Sequence, residues 1–304
     1  MSEYMNKKEL FMEPETRQYG SHMIMTNVHK PQKQKYINID TKFRDEYNYQ
    51  ETSNYNITLP ERINDVKTIT ITNIEIPMTF YIISTNFGNN YFQVTKTGNT
   101  PEIIMIEDGN YTYDELATKI NEKLSSTTNA ASLTISIDTN KKSTITSSDQ
   151  PNEYVIEFDV NSNGGNDKYN LKTKLGWLLG FRKSSYNITT NVISENIVNL
   201  NGPPYLYLAI DEYNKHNQNT FLSQMTTSII NKNIIARISL DRHLHPFGTI
   251  LPATRYAGLL VSDTRTYTGK IDMQKINVQL LNEYGKPIIL NGMDFSFCME
   301  IVCE

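Results

Sequence analysis

Three groups of residues in this sequence could carry out chemistry, and the first has the makings of a metal site. Asp241, His243 and His245 lie in the segment DRHLHP, and two histidines two positions apart can project from one face of a strand. A zinc-type site needs a third and a fourth ligand, and both cysteines lie far along the chain. A polar loop beside Pro246 is the simpler interpretation, so we predict no metal-binding residues.

The second group is Asp263, Arg265 and Asp272, which could form an acid–base set. Charged residues at strand ends are more often solvated or paired with a near neighbour. The sequence also lacks a phosphate-binding glycine loop, a nucleophile elbow and a dinucleotide-binding fingerprint. We therefore predict no catalytic residues, no cofactor and no enzymatic activity.

The third group is Tyr205, Tyr207 and Tyr213, whose rings could stack on bases or sugars. Tyrosine on a β-sheet surface more often forms partial core or a protein–protein contact, and the chain has 19 tyrosines but one tryptophan. A general nucleic-acid binder would have a basic excess, whereas this chain has 29 basic and 33 acidic residues. We predict contacts with protein and no nucleic-acid partner.

The length and cysteine content indicate a protein that folds without covalent or metal crosslinks. A chain of 304 residues buries about three quarters of its unfolded surface. Cys298 and Cys303 lie five positions apart on a predicted strand, so they face opposite sides and cannot pair. No apolar run approaches the roughly 20 residues of a membrane span, and no segment reads as a signal peptide. We predict no membrane span and a reducing compartment.

Alternating apolar and polar residues predict strands at both ends of the chain. The segments in question are KYINIDT, NYNITLP, VKTITITNIEIP, PYLYLAIDEY, NIIARISL, DMQKINVQLL, KPIIL and the C-terminal FSFCMEI. Ile69 and Ile71 fall on the opposite parity from Ile74 and Ile76, which predicts a β-bulge at Thr72-Asn73 or a three-residue turn there. Residues 283–286 predict a hairpin turn, and Asp241 to about Thr264 is expected to be irregular.

The stretch from about 86 to 201 differs from its flanks. NYFQVTK and PEIIMIE predict a hairpin, and TYDELATKINEKLSS predicts a helix with a capping box of Thr112 and Glu115. ASLTISID, KSTITS and NEYVIEFDV predict a meander, and LGWLLGF, which contains Trp177, predicts a short buried helix.

Many short strands and one clear helix predict an all-β fold, either a sandwich or a barrel. The final strand carries Phe295, Phe297, Met299 and Ile301 on one face, too apolar for an edge. We expect it to close a two-sheet sandwich and to meet the N-terminal strand near Tyr36. The predicted organisation is a flexible N-terminal arm (1–33) and a jelly-roll domain (34–304) interrupted by an inserted mixed α+β segment (86–201).

Several segments, in order from about Tyr36 to Phe297, resemble a family of minor capsid proteins of large eukaryotic DNA viruses and their virophages. They are YINIDTKFRDEYNY with NITLPERINDVKTITITNIEIPMTFY, DGNYTYDELATKIN, LGWLLGF, PYLYLAIDEY, NIIARISL, TRTYTGKIDMQKINVQLLNEYG and NGMDFSF. The stretch from about Ser125 to Lys172 matches no motif of that family.

The resemblance implies a single jelly-roll capsid protein, most simply the penton. Five copies would form each vertex of an icosahedral shell, surrounded by double jelly-roll major capsid protein, with other minor capsid proteins as further candidate partners. The location would be the capsid vertex of the virion, after assembly in the host cytoplasm. A ring needs a heterologous interface, and we expect the loops from His243 to Thr264 to supply part of it.

Two other functions stay open beside a shell protein. One is a vertex-associated module that binds a host receptor or glycan through 86–201, since jelly rolls also serve as lectins. The other is a carbohydrate hydrolase, which would need two carboxylates about 5–10 Å apart in a cleft.

Overall fold

A computed structural model of the chain describes residues 17–19, 22–24, 31–48, 51–213 and 233–304. Most of the predicted N-terminal arm, residues 1–33, lies outside these ranges. Within the described ranges, no helix combines the length and apolar character needed to cross a membrane.

The described residues form seventeen strands, two α-helices and two 3₁₀ turns. The strands are β1 (Arg17–Tyr19), β2 (His22–Ile24), β3 (Lys33–Asp40), β4 (Asn54–Pro77), β5 (Tyr91–Lys96), β6 (Glu102–Met105), β7 (Leu133–Ile137), β8 (Lys142–Ser147), β9 (Tyr154–Glu157), β10 (Ser185–Ile188), β11 (Asn191–Ile197), β12 (Tyr205–Asp211), β13 (Ile234–Ser239), β14 (Ile250–Thr254), β15 (Leu260–Ser262), β16 (Arg265–Leu281) and β17 (Ser296–Cys303). The helices are α1 (Tyr113–Ser126) and α2 (Leu175–Leu178), and the 3₁₀ turns span Thr41–Phe43 and Lys168–Thr173.

The largest sheet, which we call the main sheet, has eight antiparallel strands. Seven follow the order β15-β13-β12-β16-β4-β17-β3, and the eighth, β14, pairs with β4. Strand β4 is 24 residues long; its N-terminal part pairs with β16, and its C-terminal part pairs with β17 and β14. The sheet curls, so apolar side chains from strands along its whole width meet in one hydrophobic cluster, which we call the main cluster. The fold is all-β and jelly-roll-like, as predicted.

Strand β17 lies between β3 and β4, which explains why its side chains on one face are so apolar. Phe297 pairs with Ile39 of β3 on one side and with Ile74 of β4 on the other. Phe297, Met299 and Ile301 are fully buried in the main cluster. The prediction that the first and last strands of the domain meet is confirmed.

The β-bulge predicted at Thr72-Asn73 is also present. Cys298 pairs with Asn73 but Met299 pairs with Ile71, so Thr72 is the extra residue. The Thr72 hydroxyl donates to the Cys298 carbonyl at 3.2 Å. The extra residue changes the parity of β4, and the isoleucines on both sides of it point into the same core.

Strands β5 to β11 and both helices form a second region with its own hydrophobic cluster. They make two sheets, in the orders β10-β9-β5-β6 and β11-β8-β7. The buried residues of this cluster all lie between Ile82 and Ile188, and none belongs to the main cluster. That 86–201 is an insertion into a domain spanning 34–304 stays a prediction.

Three sequence expectations were wrong in detail. Strand β9 pairs with β5 and β10 rather than with β8, so the predicted meander is split between two sheets. KPIIL is not a strand, because its pairing is limited to a single bridge between Pro287 and Leu281, although Ile288 and Leu290 still pack into the main cluster. The stretch from Asp241 to Thr264 contains β14 and β15, which pair with β4 and β13.

The predicted capping box of α1 is present and can be tested. The Thr112 hydroxyl accepts the Glu115 N–H at 3.3 Å, and the Glu115 carboxylate accepts the Thr112 N–H at 2.8 Å. We expect Thr112→Ala to lower the free energy of unfolding by about 1 kcal/mol, because an N–H of the first turn loses its acceptor. Urea denaturation measures this. Thr118→Ala, on the exposed middle of the same helix, is the control, and an equal loss in both variants would contradict the capping role.

Candidate functional site

The DRHLHP segment forms a turn whose acidic residue bonds the backbone. The Asp241 carboxylate accepts the N–H groups of Leu244 at 3.1 Å and His243 at 2.9 Å, and these bonds lower the pKa of Asp241. His243 is exposed and His245 is half-buried. Across the described ranges, no group of three or more His, Cys, Asp or Glu side chains could hold a metal ion. The segment forms a turn, and the absence of metal-binding residues stays a prediction.

Asp263, Arg265 and Asp272 do not form one set. Asp263 accepts the N–H of the next residue, and Asp272 pairs with Arg62 at 2.5 Å on the surface. The hydrogen bond from Arg62 lowers the pKa of Asp272, as expected of a paired carboxylate. Each aspartate therefore has its own partner, and Arg265 has a different one.

Arg265 lies completely buried against Glu212, a partner that the sequence analysis missed. Arg265 Nη1 donates to Glu212 Oε2 and to the Ile210 carbonyl, both at 2.8 Å, and Nη2 donates to the Asn233 carbonyl at 2.6 Å. Both side chains have no exposed surface. Arg265 thus joins the residues on either side of 214–232. Nothing in the spacing of these two residues indicates the pair, because they are 53 positions apart.

The three tyrosines do not form one stacking platform. Tyr205 and Tyr207 meet edge to face at 5.1 Å, and the Arg237 guanidinium lies 4.1 Å from the centre of the Tyr205 ring. Tyr207 is buried, whereas Tyr213 is exposed and donates to Asn56 Oδ1 at 2.7 Å. Tyr207 is partial core, and the other two contribute to separate parts of the surface.

The largest concentration of exposed apolar side chains lies between residues 243 and 264, and we call it the loop surface. Of the fifteen large hydrophobic side chains exposed within the described ranges, five belong to it: Leu244, Phe247, Ile250, Tyr256 and Val261. Leu244 is 72% exposed and Tyr256 is completely exposed. Contiguous exposed apolar patches are typical of interaction sites, and these side chains all come from one short segment of the chain.

The loop surface is held firmly on the main sheet. Met78 and Thr249 are joined by a backbone hydrogen bond of 2.8 Å, and β14 pairs along the end of β4. Leu251 and Ala253 point into the core while Ile250 points outward. Phe247 stacks on Tyr81 with the ring centres 5.7 Å apart. The exposed apolar side chains are therefore presented by ordered strands and turns.

A second exposed apolar group, which we call the 43–47 patch, lies on the segments that follow β3 and precede β17. It consists of Phe43, Tyr47 and Met293, all at least half exposed. The Asp294 carboxylate accepts hydrogen bonds from Thr41 at 2.7 Å and from Arg44 at 3.1 Å. The Arg44 guanidinium in turn lies 3.9 Å from the centre of the Tyr47 ring, so these contacts connect the segments that carry the patch. The described surface thus carries two chemically similar but distinct apolar patches.

Comparison with known proteins assigns the chain to a protein family. A family model described as a family of unknown function (DUF5901) matches residues 23–239, more than two thirds of the chain. The chain belongs to this family. No curated protein matches it. Solved structures do match, among them the crystal structure of selenomethionine-labelled mavirus penton protein, which is 8% identical, with 90% of this chain and 100% of that chain covered and a TM-score of 0.43.

The range matched by the DUF5901 family model includes most of one apolar patch and none of the other. Phe43 and Tyr47 of the 43–47 patch lie inside residues 23–239, as does the whole of β5 to β11, whereas Met293 lies outside. The loop surface and strands β14 to β17 lie beyond it. The family match therefore covers the second region and about half of the main sheet.

Proposed function

We propose that this DUF5901 protein is a structural protein of a viral capsid, the penton that forms pentameric vertices of an icosahedral shell. The loop surface carries the proposal, because five exposed apolar side chains on an ordered scaffold are suited to contact with another protein. The sequence resemblance to minor capsid proteins and the jelly-roll-like fold support it.

The occupant of the loop surface is a second copy of the same chain. A closed ring needs a heterologous contact, in which one patch meets a different patch on the next copy. The loop surface and the 43–47 patch supply two such patches. We propose that Leu244, Phe247 and Tyr256 of one copy pack against Phe43 and Tyr47 of its neighbour.

In the assembled particle the pentamer would be surrounded by a double jelly-roll major capsid protein, with other minor capsid proteins as further candidate neighbours. The protein would reside at the capsid vertex of the virion after assembly in the host cytoplasm. The separate hydrophobic cluster of β5 to β11 supports treating 86–201 as an insertion that projects from a domain spanning 34–304.

Sedimentation of the purified chain at tens of micromolar tests the ring. We expect a particle of about 175 kDa, five times the 35.0 kDa chain. Leu244→Lys combined with Phe247→Lys should return it to the monomer mass, because two charges would be buried in the contact. Ile193→Lys, at an equally exposed position on β11, is the control and should leave the pentamer intact.

A wild-type chain that sediments as a monomer at every concentration would overturn the copy-to-copy contact. Equal loss of the pentamer in the control would show that the loop surface is not the interface. A second role, recognition of a host glycan by a vertex module, is favoured by one separate observation, the cavity described next.

A further inference from the structure

A cavity of about 180 Å³ lies where the second region meets the main sheet. Trp177 and Lys172 line it from the second region, and the turn that contains Glu283 lines it from the main sheet. At about 30 Å³ per water, it has room for roughly six waters or one small ring with its substituents. Boundaries between two packed regions are common places for small-molecule sites.

Glu283 contributes an acceptor that the protein itself does not use. Its Oε2 atom is shielded from solvent and has no hydrogen-bond partner among the residues that the structure describes. Burial raises the pKa of this carboxyl. A buried polar atom without a partner is costly, and such atoms are often kept for a ligand.

Two amides in the wall supply matching donors. Asn199 Oδ1 accepts the Asn201 N–H at 3.1 Å, and Asn282 Oδ1 accepts the N–H groups of Tyr284 at 3.0 Å and Lys286 at 2.9 Å. These bonds fix which end of each amide is the oxygen. The NH₂ groups of Asn199 and Asn282 form no hydrogen bond with any described residue, so they are free to donate.

The single tryptophan of the chain gives the cavity an aromatic wall. The Arg182 guanidinium lies 4.1 Å from the centre of the Trp177 ring and donates to the Trp177 carbonyl at 2.9 Å. Arg182 does not line the cavity, so it holds the ring from another side. The half-buried indole is thereby fixed in place with part of its surface facing the cavity.

Lys172 and Lys286 place two positive charges among the lining residues. Both are exposed, and neither forms an ion pair with an acidic residue in the described part of the chain. Lys286 also lies near enough to Asp167 to help lower the pKa of that carboxyl, but neither lysine is held in a close ion pair, so both can reach an anionic group of a ligand in the cavity.

We propose that this cavity binds one pyranose sugar that carries a carboxylate. Ring hydroxyls donate to Glu283 and accept from Asn199 and Asn282, and the apolar face of the ring packs on Trp177. The carboxylate pairs with Lys172 and Lys286. This binding function goes beyond the structural role proposed above and does not depend on it.

Titration of the full chain with glucuronic acid and with glucose tests the proposal, because the two sugars differ only at C6, where a carboxylate replaces a hydroxymethyl group. Trp177 is the sole tryptophan, so its fluorescence reports on the cavity alone. We expect a change in emission with a Kd near 1 mM for glucuronic acid, and at least about tenfold weaker binding of glucose, the loss of one charged contact. Saturation-transfer NMR of the sugar protons provides an independent measurement.

Three variants assign the roles. Glu283→Gln keeps the side-chain shape and should raise the Kd for glucuronic acid at least about tenfold without lowering the melting temperature. Lys172→Gln combined with Lys286→Gln should bring the Kd for glucuronic acid to within about twofold of the Kd for glucose. Glu122→Gln, on the exposed face of α1, is the control and should bind like wild type.

Binding of neither sugar up to about 50 mM by both measurements would overturn the proposal. Equal affinity for the two sugars in the wild-type chain would also overturn it, as would unchanged binding by Glu283→Gln.

Discussion

Replacing Arg265 by alanine is expected to lower the free energy of unfolding by about 3–5 kcal/mol. The substitution leaves the Glu212 carboxylate buried with no cation, and it removes the donor to the carbonyls of Ile210 and Asn233. Desolvation of an unpaired charge is the dominant cost, since both side chains are completely buried. Urea denaturation followed by circular dichroism measures the loss.

The matched control is the exposed ion pair between Arg62 and Asp272. Their side chains are 58% and 41% exposed, so water screens the pair. Arg62→Ala should change the free energy of unfolding by less than about 1 kcal/mol. The difference between the two arginine variants isolates the effect of burial.

A double variant separates the two causes of the Arg265 effect. Arg265→Met with Glu212→Leu removes both charges and keeps much of the buried volume, so it should recover most of the stability lost in Arg265→Ala. A loss below about 1 kcal/mol in Arg265→Ala would contradict the buried pair. A double variant as unstable as the single one would mean that the carbonyl contacts matter more than the charge.

Local patterns predicted the elements of this fold well. The parity change between Ile71 and Ile74 located the bulge to within one residue, because a strand has only two faces and both pairs of isoleucines must reach the core. The capping box of Thr112 and Glu115 located the start of α1, since its bonds join residues three positions apart.

Long-range pairing was harder to predict from the sequence. Strand β9 follows β8 in the chain but pairs with β5 and β10, and only the packing of the second cluster decides between these partners. KPIIL has the composition of a strand because Ile288 and Leu290 are core residues, yet core residues can also come from an irregular segment.

The candidate sites depended even more on tertiary contacts. The pair of Arg265 and Glu212 and the cavity beside Trp177 both join residues from distant parts of the chain. The sequence gives one usable signal for the loop surface, the apolar residues scattered through a segment with no long strand. Their exposure follows from the placement of β14 and β15, which the pattern did not predict.

The largest effect is expected from removing β17. Deletion of residues 296–304 takes out the strand between β3 and β4, so both neighbours lose a hydrogen-bonded partner. It also exposes the inner face of β4 around Ile69, Ile71 and Ile74. The shortened chain should lose its cooperative thermal transition and aggregate, because it presents a long apolar edge.

Single substitutions on β17 give the graded form of the same test. Phe297→Ala should lower the free energy of unfolding by about 3–5 kcal/mol, since Phe297 is fully buried and stacks on Phe295 at 6.2 Å. Val302→Ala, on the half-buried opposite face of the same strand, is the control and should cost about 1 kcal/mol or less. A shortened chain that stays soluble and melts cooperatively would show that β3 and β4 close the core without β17.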